Sequence, residues 1–292
     1  MEILRTPDSR FQDLPGYPFA PHYTGVDGLR IHYVDEGDGP AVVLMHGEPS
    51  WSYLYRKMIP PLVDAGYRVL APDLVGFGRS DKPAAVEDHT YARHVHWMLE
   101  WMRAVGAQGA VLFGQDWGGL IGLRMVAAEP ARFERVAVAN TGMPTGDQQM
   151  PDAFVAWQQF ARGVSEFPVG AIVAGGTVGG LSEEEVAAYD APFPDETFKA
   201  GPRVMPSLVP STPDDPEASA NRVAWQVLGA WAKPFLTLFS DSDPITAGGD
   251  RVFHKLVPGA AGQPHRTMTG GGHFLQEDVG GELAAALIGW MG

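Results

Sequence analysis

The amino-acid sequence predicts an α/β fold: a doubly wound, mostly parallel sheet of eight strands, interrupted by a helical insertion. Three observations carry that prediction. Short, almost wholly apolar runs recur along the chain, as parallel strands covered on both faces require. Segments with apolar residues at helical spacing separate them, the alternation that builds open α/β sheets. Between about Thr141 and Trp231 the alternation stops, and the chain becomes rich in Gly, Pro and acidic residues.

Taken in order, the sheet starts with Tyr23 to Glu36, where apolar and polar residues alternate around Asp27-Gly28, a dipeptide that favours a tight hairpin turn. Ala41 to Met45, Arg68 to Pro72 and Ala110 to Phe113 read as buried parallel strands. Pro60 to Ala65 and Tyr91 to Val105 read as the helices between them, the second with Val95, Met98, Leu99, Met102 and Val105 on one face. Arg135 to Ala139, Pro234 to Phe239 and His265 to Met268 complete the strands. Within the break, Pro151 to Arg162 reads as a helix with Phe154, Trp157 and Phe160 recurring on one side. Ser182 with Glu185 forms a capping box flanked by a Leu181 to Val186 staple. The expected division is a core of residues 1–142 and 230–292 with a helical cap of residues 143–229. Open α/β sheets bind ligands at the C-terminal ends of their strands, so a cap there would enclose a site.

Composition narrows the partners. With 45% apolar and 19% charged residues, a chain of 292 residues buries a sizeable core and lacks the composition of a disordered one. A formal charge of −14 and a pI near 5.0, with no local Lys/Arg cluster, repel phosphate backbones and anionic lipid, so neither nucleic acid nor a membrane surface is an expected partner. There is no cysteine, which removes disulfide and thiol chemistry without choosing a compartment. Met1 to Pro15 carries charges and no apolar core and is not read as a signal peptide; no run approaches a membrane span. A cytoplasmic location is the default expectation.

The most informative segment for chemistry is Val111-Leu112-Phe113-Gly114-Gln115-Asp116-Trp117-Gly118-Gly119-Leu120. It is a strand running into a glycine-flanked turn and then a helix, the setting of a nucleophile elbow. Gly114 and Gly118 let the chain turn sharply enough to project Asp116 from the sheet edge, where an esterase would carry serine. Asp is also a common helix N-cap, which is the plainer reading of the isolated segment. A second segment, Leu44-Met45-His46-Gly47-Glu48-Pro49-Ser50-Trp51, follows the third strand, where this kind of hydrolase supplies half of its oxyanion hole. The backbone N–H groups of Glu48 and Trp117 are then expected to point at one oxygen. A carboxylate nucleophile yields an ester that needs activated water, hence an acid and a histidine downstream. Phe239-Ser240-Asp241-Ser242-Asp243-Pro244 and Gly270-Gly271-Gly272-His273-Phe274 supply them in the order Asp116, Asp243, His273. Asp243 is preferred for its place at the turn before Pro244, with Asp241 as the alternative. His89, His94 and His96 have no acidic partner at metal spacing and are expected to be solvated.

The run Gly47-Glu48-Pro49-Ser50-Trp51-Ser52-Tyr53-Leu54-Tyr55-Arg56-Lys57-Met58-Ile59-Pro60 and the elbow Gly114-Gln115-Asp116-Trp117-Gly118-Gly119 resemble the haloalkane dehalogenases, which have the α/β-hydrolase fold. The likeness continues through Gly76-Phe77-Gly78-Arg79-Ser80-Asp81-Lys82-Pro83, the cap and Gly272-His273-Phe274-Leu275-Gln276-Glu277, and covers most of the chain after about His22. Within that family the chain is similar to the subfamily with an Asp, His, Asp triad and a halide held by two tryptophans. The resemblance implies Trp117 and Trp157 as that pair. The sister subfamily carries Asn in the His-Gly turn and its acid after the sixth strand; Glu48 and Asn140 at those positions both favour Asp243.

The resemblance implies hydrolysis of a small apolar haloalkane to an alcohol and a halide ion through an Asp116 ester, with no metal and no organic cofactor, by a monomer. Phe154, Phe193, Pro194 and Leu275 are expected pocket walls. An epoxide hydrolase shares the Asp nucleophile but uses two cap tyrosines, and the insertion contains only Tyr189. A haloacetate dehalogenase would need an arginine where Trp117 stands. A binding protein of this fold without catalysis predicts a broken triad, whereas all three members are present.

Overall fold

A computed structural model describes residues 1–292. Asp27 and Gly28 both take positive φ, 51° and 81°, the twist a two-residue hairpin needs. They join β1 (His22–Val26) to β2 (Leu29–Glu36), with Val26 opposite Leu29. Six further strands follow: β3 (Ala41–Met45), β4 (Arg68–Pro72), β5 (Ala110–Gln115), β6 (Phe133–Ala139), β7 (Phe235–Ser240) and β8 (Arg266–Met268). Across the sheet the order is β1-β2-β4-β3-β5-β6-β7-β8. Only β2 runs against the rest: it pairs antiparallel with both neighbours, and every other pair is parallel. β5 continues to Gln115 because Gly114 and Gln115 still pair with Val138 and Ala139 of β6, which carries the ladder to the edge of the site.

The helices flanking the sheet are α1 (Ile59–Asp64), α2 (Tyr91–Ala104), α3 (Trp117–Ala128), then α9 (Asp250–Leu256) and α10 (Leu275–Met291). α2 opens where the Thr90 hydroxyl accepts the Arg93 N–H at 3.1 Å. Its buried face is wider than its apolar residues suggest, because His94, Trp97 and Trp101 are also inside. This corrects the expectation of three solvated histidines. His96 alone is exposed, 2.9 Å from Asp27, whereas His89 and His94 are buried with their ring nitrogens 3.3 Å apart. Burial lowers the proton affinity of both.

Between β6 and β7 the regular elements are all helices. α4 (Asp152–Gly163), α5 (Val169–Gly175), α6 (Glu183–Asp190) and α7 (Ala200–Leu208) form the cap. At the start of α6 the Ser182 hydroxyl accepts the Glu185 N–H while Glu185 accepts the Ser182 N–H, closing the capping box. α8 (Ala218–Leu228) belongs elsewhere: Arg124 of α3 donates to Glu217 and Asn221, each at 3.0 Å, and the Trp225 ring lies 5.5 Å from Phe253 of α9. It packs against α3 and α9, in the layer flanking the sheet. Nothing in the sequence between Thr141 and β7 marks that change of layer.

A buried ion network fastens the cap to the core. Arg56 donates to Glu277 of α10 and, at 2.6 Å, to Glu185 of α6, and the Tyr189 hydroxyl also donates to Glu277. No helix is long and apolar enough to cross a membrane.

Candidate active site

The site forms where β5 turns into α3. Asp116 has φ 51° and ψ −126°, a conformation costing a non-glycine residue about 1–3 kcal/mol. The turn is tight enough to require its glycines: a Cβ at Gly118 would lie 1.9 Å from the Met45 carbonyl oxygen, and one at Gly114 would lie 2.7 Å from the Gly118 oxygen. Although Asp116 stands at the N-cap position of α3, its side chain makes no capping hydrogen bond. Its Oδ1 instead accepts the Glu48 N–H at 2.8 Å. A Cβ at Gly47 would fall 2.3 Å from that same oxygen, so only glycine lets the loop approach. The Trp117 N–H opens α3, where first-turn donors have no intrahelical partner.

The loop carrying Glu48 is braced by a residue that the sequence presents only as part of a turn. His46 is fully buried; its Nε2 accepts the Leu74 N–H at 2.9 Å, so its Nδ1 carries the proton and donates to the Gly47 oxygen at 2.9 Å. Burial lowers its proton affinity, consistent with that neutral tautomer.

His273 faces two carboxylates. Its Nδ1 lies 3.0 Å from Asp243 Oδ2 and its Nε2 lies 3.6 Å from Asp116 Oδ2. Asp243 is held by the Ile245 N–H at 2.9 Å and by the Thr246 hydroxyl. Asp241 is exposed and accepts the Gly270 N–H at 3.0 Å, away from the histidine. Burial works against charge on His273, but Asp243 and Asp116 outweigh it and raise its pKa to about 10. Asp243 is correspondingly lowered: burial opposes its charge, and His273 and the hydrogen bonds overcome that. The Glu48 carboxyl is pushed well above the usual range by burial and then by Asp116, with His273 and the facing Trp157 side chain pulling part of the way back. Asn140, at the sixth-strand position, has φ 38° and serves the structure of the loop. Its amide donates to the Gly272 and His273 carbonyls at 2.9 and 3.1 Å, and its oxygen accepts the Ser240 N–H.

A cavity of about 930 Å³ opens above these groups, lined by Glu48, Asp116, Trp117, Trp157, Asp243 and His273 among others. Of the four expected walls, Phe154 lines it and three do not. Phe193 is buried outside the cavity, its ring centre 5.8 Å from the Lys82 ammonium of the core. Pro194 is exposed. Leu275 is the first residue of α10 and turns under the histidine loop, where a Cβ at Gly271 would touch it at 3.0 Å. Phe274 takes its place as a wall, edge-on to His273 at 4.9 Å, with Ile172 and Met143. One residue of register separates Leu275 from the cavity, and only the loop's path decides which neighbour of His273 faces it. Tyr189 does not line the cavity.

Residues 40–278 match a family model described as the alpha/beta hydrolase fold, and with the sheet order above they define the chain as an α/β-hydrolase. The haloalkane dehalogenase of Psychrobacter cryohalolentis is 58% identical, with 99% of this chain and 97% of that protein covered. That of Mycolicibacterium paratuberculosis is 54% identical over 99% of this chain and 98% of its own length. The chain belongs to the haloalkane dehalogenases. Its structure also matches that of the haloalkane dehalogenase DpaA from Paraglaciecola agarilytica with a TM-score of 0.87 at 34% identity, covering 98% of this chain and 97% of that one. The Paraglaciecola protein is described as a tetramer, which does not fit the expectation of a monomer.

Proposed function

We propose that the chain hydrolyses small apolar haloalkanes to an alcohol and a halide ion, with Asp116 as covalent nucleophile, His273 as base and Asp243 as its orienting acid. The observation that carries this reading is the pose of the Asp116 carboxylate. It is free of helix capping, has Oδ1 held by the Glu48 N–H, and has Oδ2 near His273 at the cavity wall.

In the first step a lone pair on Asp116 Oδ2 bonds to the halogen-bearing carbon as the carbon–halogen bond breaks, and that bonding pair leaves with the halide. The indole N–H groups of Trp117 and Trp157 stabilise the departing charge. Indole suits this role because it donates without a competing acceptor, while its ring presents apolar surface to the substrate.

The raised pKa of His273 bears on the second step. In the free enzyme both carboxylates favour the imidazolium. Esterification neutralises Asp116, so one of those attractions ends, the imidazolium gives its proton to solvent and Nε2 becomes a base. Water gives that nitrogen a proton and bonds to the ester carbonyl carbon. The oxyanion, formerly Oδ1, is held by the Glu48 and Trp117 N–H groups. Collapse expels the alkoxide, which takes the proton back from His273, and the Asp116 carboxyl then passes water's second proton to Nε2, restoring the carboxylate and the imidazolium. Glu48's carboxyl, whose ionisation burial and Asp116 disfavour, is available to orient the water.

An epoxide hydrolase would need acidic hydroxyls over the substrate, and Tyr189 is engaged with Glu277 instead. Incubation with 1,2-dibromoethane, 1-chlorobutane and styrene oxide tests the reading. Halide release from the first two is expected; halide at background with diol formed from the third contradicts it.

A further inference from the structure

The catalytic histidine is gripped from two sides, and only one of them belongs to the sheet. On the core side, the Gly272 and His273 carbonyls accept from Asn140, and the His273 carbonyl also accepts from Gln115 at 3.1 Å. On the other side the N–H groups flanking His273 are tied to the segment that follows α5. The Phe274 N–H donates to the Gly176 carbonyl at 3.1 Å. The Gly272 N–H donates at 2.8 Å to Asp278 Oδ2, in the first turn of α10. The same carboxylate accepts two cap donors: the Val178 N–H, 3.0 Å from each oxygen, and the Gly179 N–H, 2.8 Å from Oδ1. The fit leaves no slack, since a Cβ at Gly272 would lie 2.4 Å from the Gly176 oxygen.

We propose that Asp278 is a positioning residue for the hydrolytic step, joining the cap segment Val178-Gly179 to the histidine loop so that His273 Nε2 stays aimed at the Asp116 ester. The inference rests on the mechanism above. It assigns Asp278 no contact with substrate; it acts through Gly272 and hence through His273. A carboxylate suits this junction because three backbone N–H groups need an acceptor and a carboxylate offers only acceptors. Gly176, Thr177 and Val178 also line the cavity, so the segment that Asp278 ties to His273 is one the substrate touches.

The two-step reaction supplies a test that a merely structural role would not pass. His273 takes no part in alkylation, so a misaligned His273 slows hydrolysis alone. Asp278→Asn keeps the shape but sets an amide NH₂ against an N–H donor. In rapid-quench kinetics with 1,2-dibromoethane, D278N is expected to keep its halide burst rate within about twofold. Its hydrolysis rate per burst site is expected to fall about 10- to 100-fold, as displacements of about 1 Å do elsewhere, with alkylated Asp116 accumulating in intact-protein mass spectra. Normalising to burst amplitude counts only competent sites, so partial misfolding does not mimic the effect. Should D278N not fold, D278E keeps the charge at the start of α10, moves the carboxylate by one methylene, and is read the same way. Burst and hydrolysis falling in parallel, or neither falling, overturns the proposal. A His273→Phe variant that turns over without ever carrying an adduct on Asp116 would instead overturn the reaction on which it rests.

Discussion

The floor and the roof of the site are built differently. The floor is closely packed backbone around one side chain: the Asp116 elbow, the Glu48 N–H it accepts and the glycines at 47, 114 and 118 leave no room for a single added carbon. The roof is side chains on short helices and the segment between α5 and α6, with Trp157 half-buried and Val178 57% exposed. Floor and roof are joined both by apolar packing, as where Tyr53 meets Tyr189 edge-on at 5.2 Å, and by polar ties: the Arg56–Glu277 network and the contacts around Gly272. A rigid floor fixes which bond can be made, because a nucleophile and its oxyanion donors work only at hydrogen-bonding geometry. A softer roof fixes what reaches it.

Substitutions on the floor should therefore cost far more than substitutions on the roof. The largest effect is expected for Asp116→Ala, which removes the attacking atom: halide release should fall by at least about 10⁴-fold, with the fold intact by circular dichroism. Gly47→Ala comes next. Its methyl would occupy space 2.3 Å from Asp116 Oδ1 and displace the Glu48 N–H, so kcat should fall about 10²- to 10³-fold, the range for losing one oxyanion donor. On the roof, Trp157→Phe keeps the ring and loses the N–H, and an expected drop of about 10- to 100-fold in kcat/KM sharpens the contrast. A W157F loss matching that of G47A would break it.

The smallest effect concerns pH. His273 has a pKa raised above its unfolded value, so its contribution to stability is complete below about pH 6.5 and is lost as the pH rises toward about 10. Wild-type melting temperature should accordingly decline more steeply than that of His273→Phe across that window, and equal slopes would contradict the assigned shift.

The same division explains what the sequence discloses. Floor residues announce themselves because their geometry is local: Gly114 and Gly118 around Asp116, the His46-Gly47-Glu48 turn, and the glycines before His273. The strands are legible for a similar reason, their apolar runs being buried on both faces. Roof and support depend on packing between distant segments. Phe274 rather than Leu275 faces the cavity because of how the histidine loop climbs into α10. Phe193 is as aromatic as Phe154 yet packs near Lys82 of the core and not into the cavity. His94 reads as solvated because histidine is polar, yet it sits on the inner face of α2. Asn140, recognisable in sequence only as unfit to be an acid, holds the histidine loop from a distance of 133 residues along the chain.

The central claim is that Asp116 becomes covalently alkylated and that His273 is needed only to release it. His273→Phe, mixed with excess 1,2-dibromoethane, quenched and digested, tests both halves by peptide mass spectrometry. The account predicts one stoichiometric burst of bromide and a bromoethyl adduct on the peptide containing Asp116 that persists for hours. Sustained turnover without an adduct, or an adduct on any other residue, would contradict it.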